Sequence, residues 1–188
     1  MLTDLDNYNE SISNYATNVA TAMSNAISTA LSESMSTGGI SSASMDALMG
    51  QFKNLAESSN IDLRSMFIES ANGIQVNISA LRKLVNAQNS LAKSNFANQV
   101  TKQNKELVKQ VQAYKNTSNA ANQDGRVKRN AAKQNLQGIK KEIKALDVQM
   151  NTYYAMQKAI EDQLSGYQKW QNALQTPNPG DKYKEIFT

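Results

Sequence analysis

A seven-residue repeat of apolar residues near the end of the chain constrains the fold most strongly. Its first position holds Ile139, Leu146, Tyr153, Ile160, Tyr167 and Leu174. Its second position holds Leu136, Ile143, Met150 and Leu164, and is interrupted by Gln157 and Gln171. Apolar residues at this period are specific for helices that pack as a coiled coil. The repeat predicts one helix over about residues 127–175, ended by TPNPG at 176–180.

A second apolar pattern precedes this one and predicts another long helix, over about residues 61–119. The pattern comprises Phe67, Ala71, Ile74, Ile78, Leu81, Val85 and Ala92, then Phe96, Val100, Leu107, Val111 and Tyr114 after a change of phase. Ile74, Val76 and Ile78 also alternate as in a strand after Gly73, so this is its least regular stretch.

The segment between the two patterns, residues 117–125, combines turn-forming residues with Asp124-Gly125. A reversal there predicts a long antiparallel helical hairpin, coiled-coil-like, whose arms are about 70 to 90 Å long at ~1.5 Å per residue.

The N-terminal region predicts two amphipathic helices. Apolar residues recur every three or four positions from Leu5 to Leu31, and Gly38-Gly39 ends this pattern. After a linker at 38–44, Ser44 is the expected N-cap of a short helix ended by SSN at 58–60. Met45 and Met49 are expected to fill gaps in the packing. The predicted fold is therefore all-α: N-terminal helices in 1–60, a hairpin in 61–175 and a tail in 176–188.

Composition argues against an enzyme. The chain has no cysteine and no histidine, which removes thiolate chemistry, the usual zinc ligands and the residue best suited to acid–base work near neutral pH. No Gly-rich phosphate loop, GxSxG or HExxH pattern occurs. We expect no catalytic residues, no cofactor and no metal. The acidic N-terminus, MLTDLDNYNE, is unlike a signal peptide, which predicts synthesis and retention as a soluble protein.

Charge is distributed unevenly along the chain. Residues 1–62 hold seven acids and one base, which leaves nine of the 16 acids and 19 of the 20 bases for the rest of the chain. Residues 93–144 alone hold twelve bases and three acids. Such a surface attracts nucleic-acid phosphates, anionic lipids or an acidic protein, although a solvated helix face is an equal alternative. The candidate contacts with an anionic partner are Lys128, Arg129, Lys133, Lys140, Lys141 and Lys144.

Other candidate contact residues are aromatic. Tyr154 and Trp170 are expected beside the seven-residue repeat, and Tyr183 and Phe187 lie in the tail; all four are candidate oligomer or partner contacts. The alternatives are core packing for the aromatic residues late in the helix and disorder for the tail. Residues 1–37 are long enough to lie on a membrane. Because their polar face carries acids and hydroxyls, packing or oligomerisation is the favoured alternative.

The Ala/Ser/Met-rich N-terminus and the long Gln/Asn/Lys-rich helices, such as NQVTKQNKELVKQVQ at 98–112, resemble the internal virion, or ejection, proteins of short-tailed bacteriophages. The resemblance implies a structural protein made in the bacterial cytoplasm and packaged in the virion near the portal. It implies a homo-oligomer that contacts other proteins of the same assembly and takes part in genome delivery. DNA contact by the basic hairpin and membrane contact by residues 1–37 would follow.

Two other classes remain open. A secretion-system translocator or needle-tip protein also combines a long hairpin with amphipathic segments, and it predicts membrane leakage that requires residues 1–37. A coiled-coil adaptor would bind nucleic acid through the basic end of the hairpin, and it predicts binding that weakens steeply with salt.

Overall fold

The structure is a computed structural model that describes residues 2–117, 119 and 122–175, with side chains described from Thr17 onward. The helical class predicted from sequence is confirmed, with a small pair of strands added. Within the described ranges the elements are α1 (Leu2–Thr37), α2 (Ser42–Ser59), a 3-10 turn (Leu63–Met66), β1 (Phe67–Ser70), β2 (Gly73–Val76), α3 (Ile78–Thr117) and α4 (Gln123–Gln175).

The prediction of helix over residues 61–77 is wrong. Strands β1 and β2 pair antiparallel there, with Phe67 opposite Val76 and Ser70 opposite Gly73. Gly73 has φ of 123°, which residues other than glycine rarely adopt, and the Ser70 hydroxyl donates to its carbonyl at 2.7 Å. The alternating β-branched residues after Asn72-Gly73 are a hairpin signal, and this two-residue period prevailed over the weaker helical spacing.

The N-terminal helices end where expected, but α2 begins earlier. Helix α1 ends at Thr37, directly before Gly38 with φ of 84°. The N-cap of α2 is Ser41, whose hydroxyl accepts from the Ser44 amide at 3.3 Å. Ser44 is therefore inside the first turn, and its prediction as N-cap is wrong. Asn60 ends α2 in the left-handed conformation, as the predicted break at 58–60 requires.

Helix α4 also begins earlier than predicted. It starts at Gln123, so Asp124-Gly125 lies in its first turn and not in the connection. The Asn122 side chain accepts from the Gly125 amide at 2.8 Å, which satisfies an otherwise unpaired donor of the first turn. Asn122, which the sequence pattern assigns to a turn, thus marks the start of the helix. Residues 118, 120 and 121 of the predicted turn lie outside the described residues.

The chain divides into two compact units. Unit 1 comprises Met1–Asn18 and Asn89–Ala155. Among its described side chains, the buried apolar ones are Ala92, Phe96, Ala132, Ile139, Leu146 and Tyr153. The rings of Phe96 and Tyr153 meet edge to face at 5.7 Å between centroids, and the Tyr153 hydroxyl donates to Asn89 at 3.1 Å. Burial, with a smaller contribution from Tyr154, raises the pKa of Tyr153 to about 12.

Unit 2 comprises Val19–Gln88 and Met156–Thr188. One cluster of buried side chains joins α1, α2, β2, α3 and α4; its largest members are Met23, Ile27, Leu48, Phe52, Leu81, Leu84, Ile160 and Tyr167. The hydroxyls of Tyr167 and Ser34 share a buried hydrogen bond of 2.5 Å. Gln171 donates to the Val76 carbonyl at 3.2 Å, which holds the end of α4 against β2. Leu174, the last residue of the repeat, is 58% exposed, so the buried repeat ends at Tyr167.

Candidate anion-binding surface

The six bases predicted to contact an anionic partner all lie on α4, inside unit 1. At 3.6 residues per turn, only some of them share a face of the helix. Lys133, Lys140 and Lys144 fall within an arc of about 60°, whereas Lys128 and Lys141 fall outside it. The same arc includes Arg126 and the half-buried Arg129. We call this set the α4 basic face: Arg126, Arg129, Lys133, Lys140 and Lys144.

The α4 basic face is fixed by the buried repeat beside it. Ala132 and Ile139 are buried in unit 1, and each directly precedes a lysine of the face. A residue that follows a buried seam position lies at the edge of the seam, where a long side chain reaches solvent. The helix therefore presents a base to solvent every seven residues, at Arg126, Lys133 and Lys140. Asp147 occupies the next position of this series and ends it.

Arg126 is a site residue that the sequence-based prediction missed. It is exposed and opens the series that continues at Lys133 and Lys140. Its signal is present in the sequence, because the seven-residue spacing that identifies the seam applies equally to the charged positions at the seam's edge. Grouping the bases by their order along the chain hides this spacing, whereas projecting them onto the helix reveals it.

Ion pairs separate the basic residues into two groups. Lys128 pairs with Asp124 of its own first turn at 2.9 Å, and on α3 Lys109 pairs with Glu106 at 3.6 Å. Among the described residues, Arg126, Lys133, Lys140 and Lys144 form no ion pair. The positive potential over the α4 basic face is consequently not offset by a bound carboxylate at these four positions.

A smaller basic group lies on α3. Lys102, Lys105 and Lys109 are exposed and project within an arc of about 60° on that helix. Unit 1 therefore carries concentrated positive charge on both of its long helices. The exposed side chains between these bases are mainly Gln and Asn.

The aromatic candidates differ in their surroundings. Tyr154 is 38% exposed, and its ring stands edge-on to Tyr153 at 5.9 Å. Trp170 is half-buried against the cluster of unit 2, with its ring 5.2 Å from that of Tyr167. Tyr154 thus offers the more accessible contact, and Trp170 contributes to packing within unit 2. Tyr183 and Phe187 lie outside the described residues.

Unit 2 has an open groove between α2 and the strand pair, with a volume of about 330 Å³. Its walls are mostly apolar, and its lining residues are Met45, Met49, Arg64, Phe67, Ile68, Glu69 and Ile74. Both methionines also pack against the buried cluster, in keeping with their expected role as gap fillers. The groove itself was not predicted, because it depends on the strand pair.

The most elaborate polar network joins α3 to α4 in unit 2. Arg82 donates to Glu161 at 2.7 Å, to Gln168 at 2.7 Å and to Ser165 at 3.1 Å. The hydrogen bond from Arg82 lowers the pKa of Glu161, and Ser165 adds to this effect. Because the guanidinium is held by partners along two turns of α4, we interpret the network as a structural contact that fastens α3 to α4 in unit 2.

Across the described ranges, no group of three or more acidic side chains is placed to hold a metal ion. None of the helices in the described part of the chain is both long and apolar enough to cross a membrane. Comparisons of the chain with protein-family models, with curated proteins and with solved structures found no match.

Proposed function

We propose that this chain is a non-enzymatic structural component of a large macromolecular assembly, of the same kind as the internal virion or ejection proteins of short-tailed bacteriophages. One observation carries the proposal: α3 and α4, of 40 and 53 residues, each bury a narrow apolar stripe and leave most of their length polar and exposed. Helices of this length present extended surfaces to neighbouring molecules.

The same proposal includes an antiparallel hairpin of α3 and α4. Contacts within each unit support it. In unit 1, Phe96 meets Tyr153, and Gln110 accepts from Asn135 at 3.4 Å. In unit 2, Arg82 meets Glu161, whereas Gln75, just before α3, meets Gln171. Within each unit, residues further along α3 contact residues that come earlier in α4, which is the order of an antiparallel pair.

Introduced cysteine pairs test the hairpin, since the natural chain has no cysteine to interfere. A chain with Gln110→Cys and Asn135→Cys should cross-link within one molecule when treated with a short bifunctional thiol reagent. A chain with Gln110→Cys and Asn151→Cys, both in unit 1, is the control and should not. Equal cross-linking of both pairs, or of the control alone, would contradict the antiparallel order.

The assembly is tested by its native mass and by fractionation of particles. Light scattering on the purified chain should give a defined homo-oligomer without nucleic acid. If a tagged chain is expressed from its natural genomic context, it should co-sediment with genome-filled particles and be lost from particles that have released the genome. A monomer that is absent from every particle fraction would overturn the proposal.

The translocator alternative rests on α1, which is amphipathic in its sequence pattern and ends at Thr37. It makes a distinct prediction: dye leakage from lipid vesicles that requires residues 1–37. Leakage by the whole chain and none by the chain lacking this segment would favour a translocator. Co-sedimentation with particles and no leakage would favour the virion component.

A further inference from the structure

We propose that the α4 basic face binds double-stranded DNA by its phosphate backbone, without reading its sequence. The proposal rests on the proposed virion function for the choice of DNA, and on the geometry of α4 for the choice of residues. It deepens that function by naming the partner and the side chains that would hold it.

The geometry fits a row of phosphates. Arg126 and Lys144 are eighteen positions apart on one helix, which is about 27 Å along its axis at ~1.5 Å per residue. Five bases lie along this length within one arc, and the exposed Gln137 borders it. Duplex DNA carries one phosphate per ~3.4 Å of each strand, so every base on such a line can reach one.

The chemistry of the face favours phosphate. Arg126 carries a planar guanidinium, which forms paired hydrogen bonds with phosphate oxygens. Gln137 adds amide donors without negative charge, and each lysine adds the donors of its terminal ammonium group. The neighbouring acids of α4 lie outside the face: Asp124 is bound to Lys128, Glu142 projects to the opposite side of the helix, and Asp147 lies beyond the end of the row. A polyanion approaching this side of α4 therefore meets no carboxylate of α4 itself between Arg126 and Lys144.

Other polyanions fit this face less well. Single-stranded nucleic acid is normally held by aromatic side chains that stack on its bases, and residues 126–144 contain none. A membrane-surface helix needs apolar side chains next to its bases to enter the lipid. The exposed Val127 lies about 100° around the helix from Arg126, away from the face.

Binding to a random-sequence DNA duplex, measured by fluorescence anisotropy over a range of salt concentrations, tests the proposal. The test variant combines Arg126→Gln, Lys133→Gln, Lys140→Gln and Lys144→Gln. Its matched control combines Lys53→Gln, Lys83→Gln, Lys158→Gln and Lys169→Gln, which removes four positive charges from helices of unit 2. Circular dichroism and the native mass of each variant verify folding and assembly.

For the natural chain we expect a slope of log affinity against log salt concentration of about −4. The slope of the test variant should be about −1, and its affinity at 0.1 M salt should be roughly a hundredfold lower. The control should stay within about threefold of the natural chain. Absence of duplex binding at low salt, or equal losses in both variants, would overturn the proposal. Preference for single strands, duplex RNA, phosphatidylserine vesicles or polyglutamate over duplex DNA would overturn it in favour of that partner.

The failure of this proposal and that of the proposed function give different results. If the chain forms its oligomer and co-sediments with particles but does not bind DNA, the proposed structural function is supported and the DNA contact is contradicted. If the chain is a monomer that binds DNA through the α4 basic face and is absent from particles, the virion function is contradicted and the DNA contact is supported.

Discussion

Units 1 and 2 share the helices α3 and α4 but bury very different side chains. In unit 2 the two helices contribute to a cluster with α1, α2 and β2, in which Phe52, Leu81, Ile160 and other large side chains are fully buried. In unit 1 the buried positions include Ala92 and Ala132 and the polar Gln99 and Gln103. Among the side chains that the structure describes, the same pair of helices therefore contributes to a larger buried cluster in unit 2 than in unit 1.

Buried glutamine side chains without a hydrogen-bond partner among the described residues occur in both units. Both amide atoms of Gln99 and the amide oxygen of Gln103 are buried without a hydrogen-bond partner among the described residues. A buried amide without a partner costs about 1 to 3 kcal/mol, whereas a leucine in its place would contribute to packing. Gln157 and Gln163 of unit 2 hold three such atoms as well, so this cost is common to both units. What distinguishes unit 1 is the concentration of positive charge on its exposed helix faces.

The largest expected effect is a difference between two core truncations. Leu81→Ala in unit 2 should lower the free energy of unfolding by about 4 kcal/mol, because the dense cluster leaves a cavity that cannot collapse. Leu146→Ala in unit 1, where fewer large side chains are buried among the described residues, should lower the free energy of unfolding by about 2 kcal/mol. Urea denaturation followed by circular dichroism measures both.

Fluorescence of the single tryptophan sharpens this test. Trp170 packs against the cluster of unit 2, so its emission reports that unit. Leu81→Ala should shift the tryptophan transition strongly, and Leu146→Ala should shift the circular-dichroism transition more than the tryptophan transition. Equal costs for the two truncations would contradict the view that the cores differ in density.

The second prediction concerns the buried amide. Gln99→Met keeps a similar volume and removes two unpartnered polar atoms, so it should raise the free energy of unfolding by about 1 to 2 kcal/mol. Gln134→Met, at an exposed position of α4 in the same unit, is the control and should change stability by less than about 0.5 kcal/mol. Destabilisation by Gln99→Met would show that this amide has a polar partner in the folded protein.

Elements with a long apolar period could be predicted from sequence, and short irregular ones could not. The repeat through Ile139 and Tyr153 identified α4 because seven-residue spacing sustained over many turns is rarely compatible with any structure except packed helices. The strand pair near Gly73 was assigned to a helix, because four-residue strands carry too few positions to outweigh a neighbouring helical pattern. The cap residues Ser41 and Asn122 were missed because each lies near another polar residue with equal capping propensity.

The candidate site was predictable in kind and less so in detail. An excess of bases near Lys133 and Lys140 is visible in the sequence, and their grouping into one face follows from projection onto the predicted helix. The projection also places Lys128 outside this face, and the structure adds that Lys128 pairs with Asp124. The groove lined by Met45 and Phe67 could not be predicted, since it exists only where α2 meets the strand pair.

The third prediction addresses the polar contact inside the dense core of unit 2. Tyr167→Phe removes the hydroxyl that shares a 2.5 Å hydrogen bond with Ser34, and Ser34 is fully buried. Leaving the serine without a partner should cost about 1 kcal/mol, as should Ser34→Ala, which leaves the tyrosine unpaired. The double variant should cost less than the sum of the two, and this difference measures their coupling. Additive costs would mean that the two hydroxyls do not interact.

The smallest expected effect is the pH dependence of the fastening between α3 and α4 in unit 2. Hydrogen bonding from Arg82 lowers the pKa of Glu161 below its ordinary value of 4.5, so the folded state favours the ionised carboxylate. The resulting stability is present above pH 4.5 and is lost as pH falls through the lowered pKa of the folded protein. Glu161 is half exposed, which limits the effect to less than about 1 kcal/mol.

Glu161→Gln tests this sign directly. The variant should be slightly less stable than the natural chain at pH 7, and the difference should shrink as pH falls below about 4.5, where the natural carboxylate takes up a proton. Asp162→Asn, at the adjacent exposed position, controls for the change in net charge. Urea midpoints measured from pH 7 to pH 3 provide the comparison. A stability difference that stays constant over this range would mean that Arg82 is held by Gln168 and Ser165 alone, and that α3 and α4 are fastened in unit 2 by neutral hydrogen bonds.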